Sequence, residues 1–407
     1  MKLLFLTDNF PPESNAPASR TYEHCKAWVE QGVEVTVITC APNFPFGETY
    51  EGYKNKLYQT EMMDGIKVIR VWSYMTENKG VIKRILDYVS YAFSAFIAGL
   101  FVKTDLIVAT SPQLFTTLGG CALAKVKRKP WVFELRDLWP EGIKDHGAIK
   151  KRYLLDFLTK MELCLYRKAT HIVTVTKGLK ANLSSRGIDA QKIDIVTNGA
   201  NMDLFEPMEK DSVLIKDLQL EDKFVIGYIG THGMAHGLEF IIDAIQEVKN
   251  DKVHFLFVGT GAKKEATVKL AKKLGLKNVT FLDPVPKSEV KRYISLIDVA
   301  LVPLTKTVIH ASLIPSKIFE SAAMRKPMLL GVEGEARDIV QTYGAGIAFE
   351  PENKKEFLEA LEQISSSNET YEALQNGCDK LAEAFDRKHL AKKMIAVLEK
   401  VQKEHNA

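Results

Sequence analysis

The stretch Phe224-Val225-Ile226-Gly227-Tyr228-Ile229-Gly230-Thr231-His232-Gly233-Met234-Ala235-His236-Gly237-Leu238 decides the fold. Residues 224–229 are an unbroken apolar run of strand length, 230–237 a glycine-rich turn, and Leu238 opens an apolar helical stretch. A strand covered by helices on both faces reads as such a run, because neither face meets water. One glycine turn of this kind is a weak signal, and its weight comes from repetition on either side. Upstream, strands are expected at 3–7, 33–39, 68–72, 105–110, 131–135, 171–176 and 193–196. Downstream they are expected at 253–259, 279–282, 299–304, 328–331 and 347–349. Between the two series, residues 198–221 turn polar and the periodicity lapses. The chain therefore reads as α/β, with two Rossmann-like, doubly wound parallel-sheet domains. Ligands bind outside the carboxyl ends of strands in such sheets, so the site is expected in a central cleft between facing domains.

Length and composition agree. A chain of 407 residues is long for one domain and comfortable for two. The formal net charge of +4 is small for this length and argues against a nucleic-acid binder. Cys25, Cys40, Cys121, Cys164 and Cys378 form no C-x-x-C pair, and no histidine cluster has metal spacing. They read as buried thiols in a reducing compartment. The opening Met1-Lys2-Leu3-Leu4-Phe5-Leu6-Thr7-Asp8 is interrupted too soon for a signal peptide and reads as the first strand of a cytoplasmic protein.

Residues 85–102 are nearly continuous in apolar and aromatic side chains, with Lys83 and Arg84 before them, Lys103 after them and Asp87 inside. At roughly 1.5 Å per residue such a helix would barely cross a hydrocarbon core of about 30 Å. It also lies between two strands of one sheet. Two readings stay open: a buried helix of the outer layer, or a helix resting on a membrane surface through 83–103.

Several residues could carry chemistry. Gly230, Thr231, His232, His236 and Gly237 form a turn whose backbone N–H groups could approach a phosphate. Gly259 and Gly261 flank Thr260 in a second turn, which reads equally well as a plain strand-to-helix connection. In Pro315-Ser316-Lys317-Ile318-Phe319-Glu320, Pro315 looks like an early helix position and places Ser316 and Lys317 on the first turn. A cation there is disfavoured unless an anion, such as a diphosphate, sits beside it. Glu320 shares the face of Lys317 and could accept hydrogen bonds from a ribose diol; an i,i+3 ion pair is the competing account. Arg136 and Asp137 follow the 131–135 strand, before Trp139-Pro140-Glu141, where sites form in this architecture. An internal ion pair bracing the loop would explain them too. The first strand feeds the proline-broken loop Asp8-Asn9-Phe10-Pro11-Pro12-Glu13-Ser14-Asn15, ahead of a helix with Arg20.

In this order the pieces resemble glycosyltransferase family 4 over the whole chain, in particular a branch that builds bacterial surface polysaccharides. The resemblance rests on Phe10-Pro11-Pro12-Glu13, on Arg136-Asp137-Leu138-Trp139-Pro140, and on Val196-Thr197-Asn198-Gly199-Ala200-Asn201-Met202-Asp203-Leu204-Phe205. It rests also on Phe281-Leu282-Asp283-Pro284-Val285-Pro286 and Pro315-Ser316-Lys317. It implies the GT-B fold, with an acceptor-binding domain over 1–205 and a nucleotide-sugar-binding domain over 206–385. The helix 386–407 is expected to pack back on the first. The implied reaction is retaining, metal-independent transfer of a sugar, an amino or deoxy sugar included, with no cofactor, from a UDP-sugar to a lipid-linked or saccharide acceptor. Val285 is implied to face the donor. Glu13, Ser14, Asn15 and Arg20 are implied to face the acceptor.

The family's pair of glutamates is half present. Glu320 matches the second, while Ser312 stands where the first often is. His232 and His236 occupy places that are usually basic, leaving most of the diphosphate charge to Lys317; both are expected to titrate near neutrality. Asp137 is expected to orient or deprotonate the acceptor hydroxyl, or to brace Arg136 against the donor. A nucleotide-sugar 2-epimerase of the same architecture and a catalytically silent sugar-nucleotide-binding protein are the alternatives. The expected location is the cytoplasm, peripheral on the inner face of the plasma membrane.

Overall fold

The computed structural model describes residues 1–13, 15–44, 46–77, 81–138, 152–307 and 314–406. The chain forms two compact units: Met1–Thr197 together with Arg387–Ala407, and Asn198–Asp386. The division precedes the 205/206 boundary read from the sequence, because Ala200 and Phe205 are buried in the core of the second unit.

The first unit holds an eight-stranded sheet. Its strands, in chain order, are β1 (Lys2–Leu6), β2 (Glu34–Cys40), β3 (Tyr58–Met63), β4 (Ile66–Val71), β5 (Leu106–Thr110), β6 (Trp131–Leu135), β7 (His171–Thr174) and β8 (Ile193–Ile195). Their spatial order is β3-β4-β2-β1-β5-β6-β7-β8. Every neighbour pair is parallel except β3 with β4, which is antiparallel. Leu4 of β1 faces Thr36 on one side and Ile107 on the other. Alternate residues of β1 feed two cores: Leu4 and Leu6 one, Leu3 and Phe5 the other. That double burial is the origin of the unbroken apolar runs.

The helix Arg387–Asn406 closes the second of these cores with Leu390, Met394, Leu398 and Val401. Trp28 Nε1 donates to its Ala391 carbonyl at 2.8 Å.

The second unit holds six parallel strands: β9 (Phe224–Ile229), β10 (Val253–Val258), β11 (Val279–Leu282), β12 (Val299–Pro303), β13 (Met328–Gly331) and β14 (Gly346–Ala348). Their order is β11-β10-β9-β12-β13-β14. In both sheets the order reverses at the first strand, beside β1 in one and β9 in the other. A crevice opens at the carboxyl end of such a reversal.

The helix Val81–Leu100 is core on one face only. One face is core, with Tyr91, Ala95 and Ala98 buried, and the Tyr91 hydroxyl lies 2.6 Å from the Thr7 carbonyl and 2.8 Å from that of Ile38. The other carries Leu86, Val89, Phe93 and Ile97, all exposed, with Phe101 beyond the end 84% exposed. Among the described residues no helix is long and apolar enough to cross a membrane.

Candidate functional site

The crevice of the second unit is built by two glycine loops that touch. Gly230 follows β9 and Gly259 follows β10, at φ 145° and 142°. A Cβ on Gly259 would stand 1.9 Å from the Gly230 carbonyl oxygen, so only glycine lets the loops meet. The amides of Gly230 and His232 donate to the carbonyls of Val258 and Thr260, both at 2.9 Å. Those two N–H groups are therefore spent within the protein and leave the expected phosphate cradle incomplete. His232 is fully buried among Tyr228 and Phe257, and burial pushes it down to about 4. It is neutral at physiological pH, contrary to the expected titration near neutrality, and its side chain does not reach the surface. Thr231 is exposed, and its carbonyl accepts from the Tyr228 hydroxyl. His236 is half-buried with its ring against Tyr228, and Gly237 adopts the left-handed conformation that starts the helix Leu238–Ile245.

Lys317 enters this crevice from the start of the helix that lies between β12 and β13 in the chain. The helix runs Lys317–Ala323 with Ser316 as its cap, so Pro315 precedes the helix instead of lying within its first turn. The Lys317 ammonium lies 3.8 Å from the centre of the Tyr228 ring, and a Cβ on Gly230 would stand 3.0 Å from it. Although part of its stem reaches solvent, Nζ is buried and has no hydrogen-bond partner. The i,i+3 ion pair left open by the sequence is thus not made. Burial holds the ammonium down at about 8, against the opposing field of Glu320. Glu320 is half-buried, and Val285 packs against the core. Ser312 lies outside the described residues.

In the first unit, Arg20 is a brace. It is 2% exposed, donates from Nε to Glu134 Oε1 at 3.1 Å, and binds the carbonyls of Thr197 and Val196 through Nη1 and Nη2 at 2.7 and 3.0 Å. With its guanidinium committed inward, it is not the acceptor contact expected of it. Arg136 stands beside the same carboxylate. Burial lowers it to about 10 against the pull of Glu134, and its Nη1 is buried without a partner. Asp137 is exposed; Ser14 and Trp139-Pro140-Glu141 lie outside the described residues.

Glu13 and Asn15 line a cavity of about 250 Å3 at the carboxyl ends of β1, β2 and β5. Glu13 is 4% exposed; its Oε1 accepts from the amides of Asn43 and Phe44 at 2.8 and 2.9 Å, and its Oε2 is buried with no partner. Asn15 caps the helix Ala16–Glu30 by accepting from Ala18 N and donates to Asn9 Oδ1 at 2.6 Å. The same cavity gathers Asp8, Asp87, Arg84, Tyr88 and Gln113, none of which the sequence identified as site residues. One signal was present, since Asp87 is the single acid inside the apolar 85–102 stretch. Burial raises Asp8 to about 6 and both Glu13 and Asp87 to about 7. Among the described residues no group of three or more His, Cys, Asp or Glu side chains could hold a metal ion.

Residues 18–204 match the profile described as Glycosyltransferase Family 4, and residues 211–380 that of Glycosyl transferases group 1. A protein of Escherichia coli (strain K12) named for colanic acid biosynthesis glycosyl transfer, WcaI, is 26% identical over 89% of this chain and 92% of its own. A Bacillus subtilis protein named for teichuronic acid biosynthesis, TuaH, is 24% identical over 60% of this chain and 61% of its own. Among solved structures, sucrose-phosphate synthase from Thermosynechococcus elongatus has a TM-score of 0.76 at 14% identity, covering 98% of each chain. Anabaena HepE, solved with UDP and glucose, has a TM-score of 0.71 at 16% identity, covering 98% of this chain and all of its own.

Proposed function

Because the chain belongs to glycosyltransferase family 4 and is a glycosyltransferase of GT-B fold, we propose that it moves a sugar from a UDP-sugar to a saccharide or lipid-linked acceptor in surface polysaccharide synthesis. The relatives' names support the pathway class, and the UDP bound to HepE supports the donor nucleotide. Retention at the anomeric carbon, without a metal, follows from the family resemblance.

The observation that carries the donor site is the Lys317 ammonium, buried without a hydrogen-bond or anionic partner at the strand-order reversal of the second sheet. A buried cation that meets only an aromatic face, with no anion and no hydrogen-bond acceptor, is costly. A diphosphate would supply the missing anion and offset the charge that develops on the leaving group. In the first unit, Asp137 takes the role of base or orienting group toward the acceptor hydroxyl. Replacing it by Asn is expected to lower kcat by about 10²–10⁴-fold, and near-full turnover in a single-turnover assay would remove that role.

The exposed apolar face of Val81–Leu100, with exposed Lys83 and Lys103 near its ends, suits a cytoplasmic enzyme resting on the inner membrane face. The donor reading is tested by a thermal-shift panel of UDP, GDP, ADP, CMP and dTDP on the wild type and Lys317→Ala. A ligand at about 100 times its Kd adds roughly 2.7 kcal/mol. A shift with UDP that Lys317→Ala loses is the expected result, and no shift with any nucleotide would overturn the donor site.

A further inference from the structure

The cavity of the first unit has a chemical bias that the donor reading does not explain. The side-chain amides on its wall donate inward, Asn9 and Gln113 to Asp8 and Asn15 to Asn9. The buried groups left over there are both acceptors, Glu13 Oε2 and Gln113 Oε1. A ligand that satisfies them must bring hydrogen-bond donors. The charges point the same way. Asp8, Glu13 and Asp87 line the space with Arg84 as the one lining cation among the described residues, and Arg84 is bonded through Nε and Nη2 to the Tyr88 hydroxyl. Arg70 and Arg136 stand behind Glu13 and Asp8. Arg70, however, is committed to Glu61 and to the Cys40 and Pro11 carbonyls. The remaining titratable neighbours, Cys40, Tyr50, Tyr88 and Tyr91, are all held in their neutral forms. Phe44, 42% exposed on the rim, offers a flat apolar face.

We propose that this cavity receives the terminal sugar of the acceptor and selects one that carries a primary ammonium, an unacetylated amino sugar, over a uronic acid. The proposal rests on the glycosyltransferase reading above. An ammonium brings three donors and one positive charge to a wall whose unpartnered buried groups are acceptors and whose acids outnumber its cation among the described residues. A uronate brings a fourth carboxylate into a space where burial already disfavours the charged form of all three acids, and where the charge of Asp8 adds to that at Glu13 and Asp87.

The test is calorimetric titration of the intact protein with methyl glucosaminide, methyl glucoside and glucuronate. At pH 7, where the amine is still largely an ammonium and Asp8 is largely ionised, the glucosaminide is expected to bind about tenfold tighter than the glucoside, with glucuronate weakest. At pH 5, where the three acids are protonated, the preference is expected to vanish. Glu13→Gln and Asp87→Asn should each reduce the preference several-fold, while intrinsic tryptophan fluorescence, which comes entirely from residues 1–197, reports that the first unit of each variant is folded. Equal affinities, tightest binding of glucuronate, or no binding of any of the three would overturn the proposal. If UDP still binds in that case, the donor reading stands; if UDP also fails, it is the glycosyltransferase site assignment that falls.

Discussion

Lys317 is held in an environment that suits a ligand better than it suits the folded chain. Its ammonium is held at about 8 from an ordinary 10.5. A lysine lowered on folding costs stability in full below its folded value and ceases to do so as pH climbs toward its unfolded one. Lys317→Met is therefore expected to stabilise the ligand-free protein by about 2 kcal/mol near pH 7 while abolishing the nucleotide shift. The advantage should shrink between pH 8 and 10.5, as read by thermal melts of the two proteins side by side. Glu13 behaves in the opposite sense. It is raised from 4.5 to about 7, so the folded state holds its proton longer, and its burial costs nothing at low pH and most above pH 7. The stability of the wild type should fall relative to Glu13→Gln across that interval, and parallel profiles would show that Glu13 is not strained. Lys317 was legible in the sequence because a lysine beside a helix start breaks a local rule. The acid cavity was not. Asp8 and Gln113 bond across 105 positions of chain, and nothing near either residue announces the other. Arg20 misled for the same reason, since its partner Glu134 is 114 positions away.

At the scale of elements, the strands that lie between two helical layers were readable and one edge strand, β3, was not. β3 alternates exposed and half-buried residues from Tyr58 to Met63 and joins β4 through Asp64-Gly65, both at positive φ. That two-residue turn suits a hairpin, but a half-exposed edge strand gives no continuous apolar run. The helix Val81–Leu100 was legible only as a pair of readings, because composition does not say which face is covered. Its outer stripe of Leu86, Val89, Phe93 and Ile97 repeats at helical spacing. Replacing Phe93 and Phe101 together by Ser removes two large exposed apolar groups and no core contact. The pair is expected to leave the melting temperature within a degree or two and to weaken binding to anionic liposomes at least about tenfold in a flotation assay. Undiminished liposome binding would exclude this face as the membrane contact.

At the scale of the whole molecule, the first unit is assembled from two separated pieces of chain, 1–197 and 387–407, and the second from one piece. The helix Arg387–Asn406 buries Leu390, Met394, Ile395, Leu398 and Val401. At about 1.5–3 kcal/mol for each large apolar side chain, that is on the order of 10 kcal/mol, comparable with the stability of a whole domain. Ending the chain after Asp386 is expected to unfold the first unit and spare the second. All four tryptophans, Trp28, Trp72, Trp131 and Trp139, fall within residues 1–197, so intrinsic fluorescence should shift to the red. A cooperative calorimetric transition from the second unit should remain. The same discontinuity sets a timetable on the ribosome. Nascent domains ordinarily mature in the order in which they emerge. Here the segment that seals a core of the first unit is translated after the entire second unit. The later-made unit can reach its native state first, and the amino-terminal one waits, with Phe5 and Trp28 uncovered, until residues 387–406 leave the exit tunnel.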